Sequence, residues 1–202
     1  MKLYFSPGAC SLAPHIVLHE AGLAFQAVKT NTRERSTSDG SDFLRVNPKG
    51  YVPALLLDNG ESLTECPAIL QYLADLRPES GLLPPARSMD YYRVLEWVAF
   101  VATELHKGFG PIFRPGTPDD LKASTRERVA GRLDFTARQL DGRDFAVGAQ
   151  FTIADAYLYV VLGWMKPAGL DRERWPVLRD YHARIGARPA VKAARQAEGL
   201  AG

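Results

Sequence analysis

The sequence predicts a chain in two halves of different class: an α+β half built on a mixed sheet, then an all-helical half. Three observations predict this. Up to about residue 76, short apolar runs alternate with helix-periodic segments. A proline-rich connector, RPESGLLPPARS over 77–88, then breaks the pattern. Beyond it every apolar pattern repeats at helical spacing. The expected division is an N-terminal domain over 1–80, a linker over 81–87 and a helical domain over 88–202.

In the first half, residues 2–5 read as a strand ended by Ser6-Pro7-Gly8. A helix follows from Ser11, with Leu12, Ala13, Ile16, Val17 and Ala21 on its apolar pattern and Gly22 as its stop. FQAVK (25–29) is a second strand, the polar stretch 30–40 a loop, and SDFLRV (41–46) a short helix capped by Ser41. VPALLLDNGESLT reads as a hairpin, because Asn59-Gly60 suits a tight turn in which both central residues take positive φ. CPAILQYLADL (66–76) is a third helix, with Pro67 in its first turn where a missing N–H costs nothing. The order is βαβαββα. The first two strands flank a helix and should be parallel, the hairpin is antiparallel, and a mixed four-stranded sheet results.

In the second half, DYYRVLEWVAFVATELHKGF (90–109) carries Leu95, Val98, Ala102, Leu105 and Phe109 as one buried stripe. Residues 118–140 form a long amphipathic helix rich in arginine. FTIADAYLYVVLGWM (151–165) is apolar nearly all round and belongs in the core. Thr152 and Asp155 frame its start as a capping box, which assigns Asp155 a structural task. WPVLRDYHARIGA and PAVKAARQAEG complete the set.

Composition excludes several function classes. Hydrophobic residues make up 46% and charged residues 24% of the 202, so a packed core is expected and disorder is not. The formal net charge of +2 gives no electrostatic footprint for nucleic acid. Arg126, Arg128, Arg132, Arg138 and Arg143 read as a solvated helix face. No apolar run approaches a membrane span, and MKLYFSPGAC lacks the pattern of a signal peptide, which points to the cytoplasm. Two cysteines far apart in sequence make no disulfide framework and are expected as thiols.

Cys10 lies in the turn between a strand and a helix, where the helix dipole favours an anion. The fourth position of a Cys-x-x-Cys motif beginning at Cys10 is Ala13, so Cys10 has no such partner and needs a thiol from solution, glutathione being the abundant one. Val52-Pro53 opens a strand. Pro53 is either an ordinary strand-start proline or, with a cis peptide, a device that turns the Val52 N–H and C=O outward to bond an extended peptide. Glu65-Cys66 opens a helix, a place where N–H groups hold a carboxylate and Glu65 takes an ammonium; Glu65 also suits the dipole alone. Ala99, Thr103 and His106 fall on one α-helical stripe, with Glu104 and Lys107 adjacent.

Taken together, YFSPGACSLAPHIVLHEAGL, NPKGYVPALLLDNGESLTECPAILQYLAD, ELHKGFGPIFRP and FTIADAYLYVVLGW resemble a bacterial glutathione transferase of the beta class, over essentially the whole chain. The resemblance implies a thioredoxin-like N-terminal domain, an all-α C-terminal domain, a homodimer, and glutathione as co-substrate with no metal. It implies conjugation of the glutathione thiolate to small hydrophobic electrophiles. The positions matching the family's glutathione contacts are Cys10, Arg35, Val52, Glu65, Cys66, His106 and Lys107, with Thr103 and Glu104 matching the part of the site nearest the dimer cleft. Cys10 and His106 match the catalytic pair. Three positions depart from the usual pattern: Cys66 replaces Ser or Gly, Ala99 replaces Asn, and Arg35 replaces Lys. Phe109, Phe113 and Trp164 are candidates for an apolar pocket. Two other readings stand beside this one: a monothiol glutathione-dependent oxidoreductase or reductive dehalogenase using Cys10, and a non-enzymatic protein that binds ligands or a partner.

Overall fold

In a computed structural model, which describes residues 1–200, Lys2–Phe5 forms strand β1 at the centre of a five-stranded mixed sheet. Leu3, Tyr4 and Phe5 are all buried, as expected of a strand covered on both faces. β1 runs parallel to β2 (Gln26–Asn31), with Leu3 opposite Ala27, and antiparallel to β4 (Ala54–Leu56), with Leu3 opposite Leu55. Helix α1 (Leu12–Glu20) makes the β1–β2 crossover. β5 (Ser62–Thr64) pairs antiparallel with β4, and α3 (Cys66–Asp75) follows. The order β3-β2-β1-β4-β5 matches the expected thioredoxin-like half, with one strand added.

That strand, β3 (Ser36–Thr37), lies inside the segment expected to be a loop, so the sheet has five strands rather than four. A turn with Arg35 at φ 57° reverses the chain, and the Ser38 N–H then donates to the Lys29 carbonyl at 2.8 Å. The strand is short, polar and at the sheet edge, so it leaves no hydrophobic signal. The short helix α2 (Phe43–Val46) starts one residue later than expected, with Asp42 rather than Ser41 accepting the Leu44 N–H. In the β4–β5 hairpin only Gly60 takes positive φ, at 88°. Its N–H bonds the Leu57 carbonyl and the Leu57 N–H bonds the Glu61 carbonyl. The loop is thus a three-residue turn ending in a left-handed glycine, not the two-residue turn the Asn-Gly pair suggested.

The described residues divide into two units: Met1–Leu83 with the segment from Ala187 onward, and Pro84–Gly186. The return of the C-terminal segment differs from the division in chain order. Helix α9 (Pro189–Ala197) packs on α1, burying Val191 and Ala194, and Arg188 grips Glu20 with two hydrogen bonds of 2.6 and 2.9 Å. An amphipathic pattern states that a helix is covered, not what covers it.

The second unit is helical throughout. The segment expected as one long helix divides into α4 (Met89–Phe100), a π-helical stretch Val101–His106, and α5 (Lys107–Phe113). α6 spans Asp119–Leu140, α7 Ile153–Gly163 and α8 Pro176–Gly186. α7 is buried from Ile153 to Leu162. Its capping box forms as expected: the Asp155 carboxylate accepts the Thr152 N–H at 2.8 Å. That carboxylate also takes the Thr152 hydroxyl, the Ala146 N–H at 2.7 Å and the Tyr181 hydroxyl at 2.6 Å. Burial pushes the Asp155 carboxyl above its ordinary range against the pull of these donors, Tyr181 first. Among the described residues no helix is long and apolar enough to cross a membrane.

Candidate active site

The turn that carries Cys10 is closed by its own side chains. The Ser11 hydroxyl does not cap α1; it accepts the Ser6 N–H at 3.1 Å and donates to the Ser6 carbonyl at 3.3 Å. Gly8, at φ 71°, gives its N–H to Glu198 at 2.9 Å. The other oxygen of Glu198 meets His15 Nδ1 at 2.9 Å, and both side chains are buried. The loop is therefore fastened to itself and to Glu198 in the segment after α9, and His15 of α1 braces that carboxylate.

Cys10 sits just ahead of α1, and its thiol donates to the Val52 carbonyl at 3.5 Å. The Val52–Pro53 peptide is cis. β4 begins pairing with β1 at Ala54, so Val52 lies ahead of the ladder. Cys66 opens α3, and its thiol donates to the Cys10 carbonyl at 3.6 Å. Both cysteines are buried, and neither is in a disulfide. The fold thus brings Cys10, Val52 and Cys66 together from three segments far apart in sequence.

Glu65 borders this group with an unusual backbone, φ 71° and ψ 120°, which a side chain with a Cβ disfavours. A strained backbone at a helix start, held by its surroundings, is a mark of functional sites. What holds it is the run before Pro53: Lys49 Nζ ion-pairs with the Glu65 carboxylate, and the Tyr51 hydroxyl donates to the same oxygen at 2.8 Å. Asn47 shapes that run by donating to the Tyr51 carbonyl at 2.6 Å and accepting the Lys49 N–H at 3.1 Å. Arg35 lies on the β2–β3 turn and is exposed.

In the helical unit, Thr103, Glu104 and His106 all lie on the π-helical stretch, with Lys107 exposed just beyond it. The π turn adds a residue to the repeat, so Ala99 and His106 do not share the α-helical stripe expected of them. The Thr103 hydroxyl turns back to the Ala99 carbonyl at 2.9 Å, and Glu104 is paired with Arg132 of α6 at 2.7 Å. Arg132 is therefore partnered rather than merely solvated, as is Arg126, whose Nε donates to the Ala168 carbonyl at 2.8 Å. His106 is half-buried among aromatics: its Nδ1 lies 2.6 Å from the Tyr157 hydroxyl, and the Trp164 ring packs edge-on at 4.9 Å. Trp164 also stands edge-on to Phe109 and Phe113, at 6.0 and 6.4 Å, so the three candidate pocket aromatics do cluster.

Sequence reasoning missed Lys49, Tyr51, Glu198, His15 and Tyr157. Lys49 and Tyr51 had a signal, since they flank Gly50 immediately before the singled-out Val52-Pro53. Glu198 had none: its partners His15 and Gly8 lie 183 and 190 residues away.

The chain matches two families, "Glutathione S-transferase, N-terminal domain" over residues 8–76 and "Glutathione S-transferase, C-terminal domain" over residues 119–184. It is 46% identical over 200 residues to glutathione S-transferase GstA of Escherichia coli O157:H7, covering 99% of this chain and 100% of that one. A sphingomonad glutathione S-transferase solved with glutathione superposes with a TM-score of 0.96 at 53% identity over all of both chains. A beta-class glutathione S-transferase from Sphingomonas chungbukensis does so with a TM-score of 0.96 at 47% identity, again over all of both chains. Likeness of this extent over both units, with the Cys10 loop, the Val52–Pro53 step and the α3 start in place, makes the chain a member of the glutathione S-transferase family.

Proposed function

We propose that this protein is a beta-class enzyme that conjugates the thiolate of glutathione to small hydrophobic electrophiles. The observation that carries the reading is the convergence, within one unit, of a helix-start thiol, a main-chain segment ahead of a strand ladder, and a strained glutamate opening a second helix. Those parts suit one ligand chemistry. An extended peptide adds to the Val52 main chain. Its terminal α-amino acid head meets both its needs at α3, where the first N–H groups take the carboxylate and Glu65 takes the ammonium. Cys66 in place of a hydroxyl or hydrogen leaves those N–H groups intact. The sulfur then falls beside Cys10 at the start of α1, where an anion is stabilised.

We assign His106 the role of hydrogen-bond donor to the glutathione sulfur, and Lys107 and Arg35 the role of cations for the tripeptide's carboxylates. Thr103 and Glu104 are assigned to the edge of the site, with their present partners Ala99 and Arg132 as competitors. The reaction is a displacement: the thiolate forms a carbon–sulfur bond, the electrophile's leaving group departs with its electron pair, and binding both reactants together supplies much of the acceleration. A homodimer, a cytoplasmic setting that keeps both cysteines as thiols, and a role in clearing foreign electrophiles accompany this reading.

The test is glutathione-dependent conjugation of an aryl halide, in wild type and in Cys10→Ser. We expect turnover in both, with most of it kept in the variant. No turnover in the wild type on an electrophile panel overturns the transferase reading, and loss of all turnover in Cys10→Ser transfers the chemistry to a cysteine-based mechanism.

A further inference from the structure

We propose that Tyr157 is a positioning residue that holds His106 as the tautomer protonated on Nε2, which leaves that nitrogen a hydrogen-bond donor. The inference rests on the donor role assigned to His106. In a neutral imidazole one nitrogen donates and the other accepts, and the bond made by one decides the state of the other. Here the Tyr157 hydroxyl lies 2.6 Å from Nδ1. A phenol is a strong donor and a weak acceptor, because its oxygen lone pair delocalises into the ring, whereas an sp² imidazole nitrogen accepts well. Tyr157 is 1% exposed, so its hydrogen must find an acceptor within the protein, and Nδ1 is in place. The hydroxyl therefore donates, and the proton of the imidazole sits on Nε2.

The surroundings fix the ring as well as the proton. Trp164 packs against the imidazole at an interplanar angle of 70°, and the Tyr157 ring stands at 86°. Tyr157 is in turn held by its place on α7, two residues beyond the carboxylate of Asp155 that anchors the start of that helix to Ala146 and Tyr181. His106 is the last residue of the π-helical stretch, whereas Tyr157 lies inside the regular α-helix α7.

The imidazole nitrogens can be observed directly. In ¹⁵N-labelled protein at neutral pH, long-range ¹⁵N–¹H correlation distinguishes the two tautomers, and the His106→Ala variant identifies the His106 signals among the four histidines. We expect wild type to show His106 protonated on Nε2, and Tyr157→Phe to show a mixture. Turnover should fall roughly 2- to 12-fold in Tyr157→Phe, the scale of one neutral hydrogen bond, with KM for glutathione unchanged. A wild-type spectrum with the proton on Nδ1 overturns the inference, and this reading needs no variant to fold. An unchanged tautomer in a folded Tyr157→Phe overturns it too. If the tautomer shifts as expected while His106→Ala keeps full turnover, the positioning by Tyr157 is upheld, and it is the donor role of His106 that fails.

Discussion

Glu65 combines three facts that rarely coincide in one residue: a left-handed φ of 71°, a carboxylate, and two partners on one of its oxygens. A left-handed non-glycine residue costs on the order of 1–3 kcal/mol, which the Lys49 and Tyr51 contacts help to offset. Glu65→Gln keeps the backbone and the shape but removes the charge offered to an ammonium. Hydrogen bonds to charged groups contribute about 1.5–3 kcal/mol, so KM for glutathione should rise by about tenfold or more while the melting temperature changes little. Steady-state kinetics with varied glutathione, read beside a thermal melt, checks both halves; an unchanged KM would remove Glu65 from the binding site. His19 carries a different message. Its ring stacks on His15 at 5.3 Å with Phe25 edge-on at 5.4 Å, and burial first, then the neighbouring His15, lower its pKa below 6.5. The unfolded chain then binds a proton that the folded chain resists, so stability is lost as pH falls through the ordinary histidine value. Urea denaturation of wild type and His19→Leu at about pH 7.5 and about pH 5.5 should show the variant losing less stability on acidification; equal losses would mean that His19 does not couple to folding.

At the scale of the element, α7 shows how a core helix is fixed in register. Four donors converge on Asp155, two from Thr152, one from Ala146 and one from Tyr181. Asp155→Ala leaves all four buried without their acceptor. The expected loss is about 3–5 kcal/mol, the range for breaking a buried charged network. Chemical denaturation measures it, and a loss under about 1 kcal/mol would show that the donors find other acceptors. The capping box was legible because its two members are three residues apart; the Tyr181 bond was not, because it spans 26 residues and depends on how α8 lies on α7. The same contrast runs through the other elements. Hydrophobic periodicity placed most α-helices to within a few residues, since burial writes directly into spacing, but it ran α4 and α5 together as one helix. It could not place β3, which buries nothing, nor the π-helical stretch at 101–106, where an extra residue in the repeat shifts the face that His106 presents.

For the whole molecule, helix starts, a strand start and then the family resemblance all singled out Cys10, Val52, Glu65 and Cys66, and the structure adds the contacts around them: the Ser6–Ser11 clasp, Lys49 and Tyr51, and Glu198. The Ser6–Ser11 clasp and Glu198 were illegible because each joins a side chain to main chain in a way no periodicity records, whereas Lys49 and Tyr51 flank Gly50 beside the singled-out Val52-Pro53. The proposed dimer has its own evidence to gather. On the helical unit Met89, Tyr92 and Phe135 are 65%, 51% and 40% exposed, and Phe135 packs on Phe100 at 5.3 Å. Large apolar side chains grouped on α4 and α6 suit a partner of the same kind. Sedimentation equilibrium should give twice the chain mass, and Phe135→Glu should shift the equilibrium toward monomer; a wild type that stays monomeric at every concentration refutes the dimer.

The carboxylate that clasps the Cys10 loop has a consequence for how the protein is made. Gly8 leaves the ribosome early, and Glu198 is added 190 residues later. Synthesis proceeds at about 5–20 residues per second, so the whole helical unit is translated while the loop still lacks its clasp. A nascent chain can pair β1 with β2 and lay α1 across them, yet the Gly8 contact of the thiol turn is not made until Glu198 has been added. Any shortened product that lacks Glu198, from a broken transcript or an early stop, therefore carries the Cys10 loop with its Ser6–Ser11 clasp alone. Translation order by itself thus separates finished molecules from fragments.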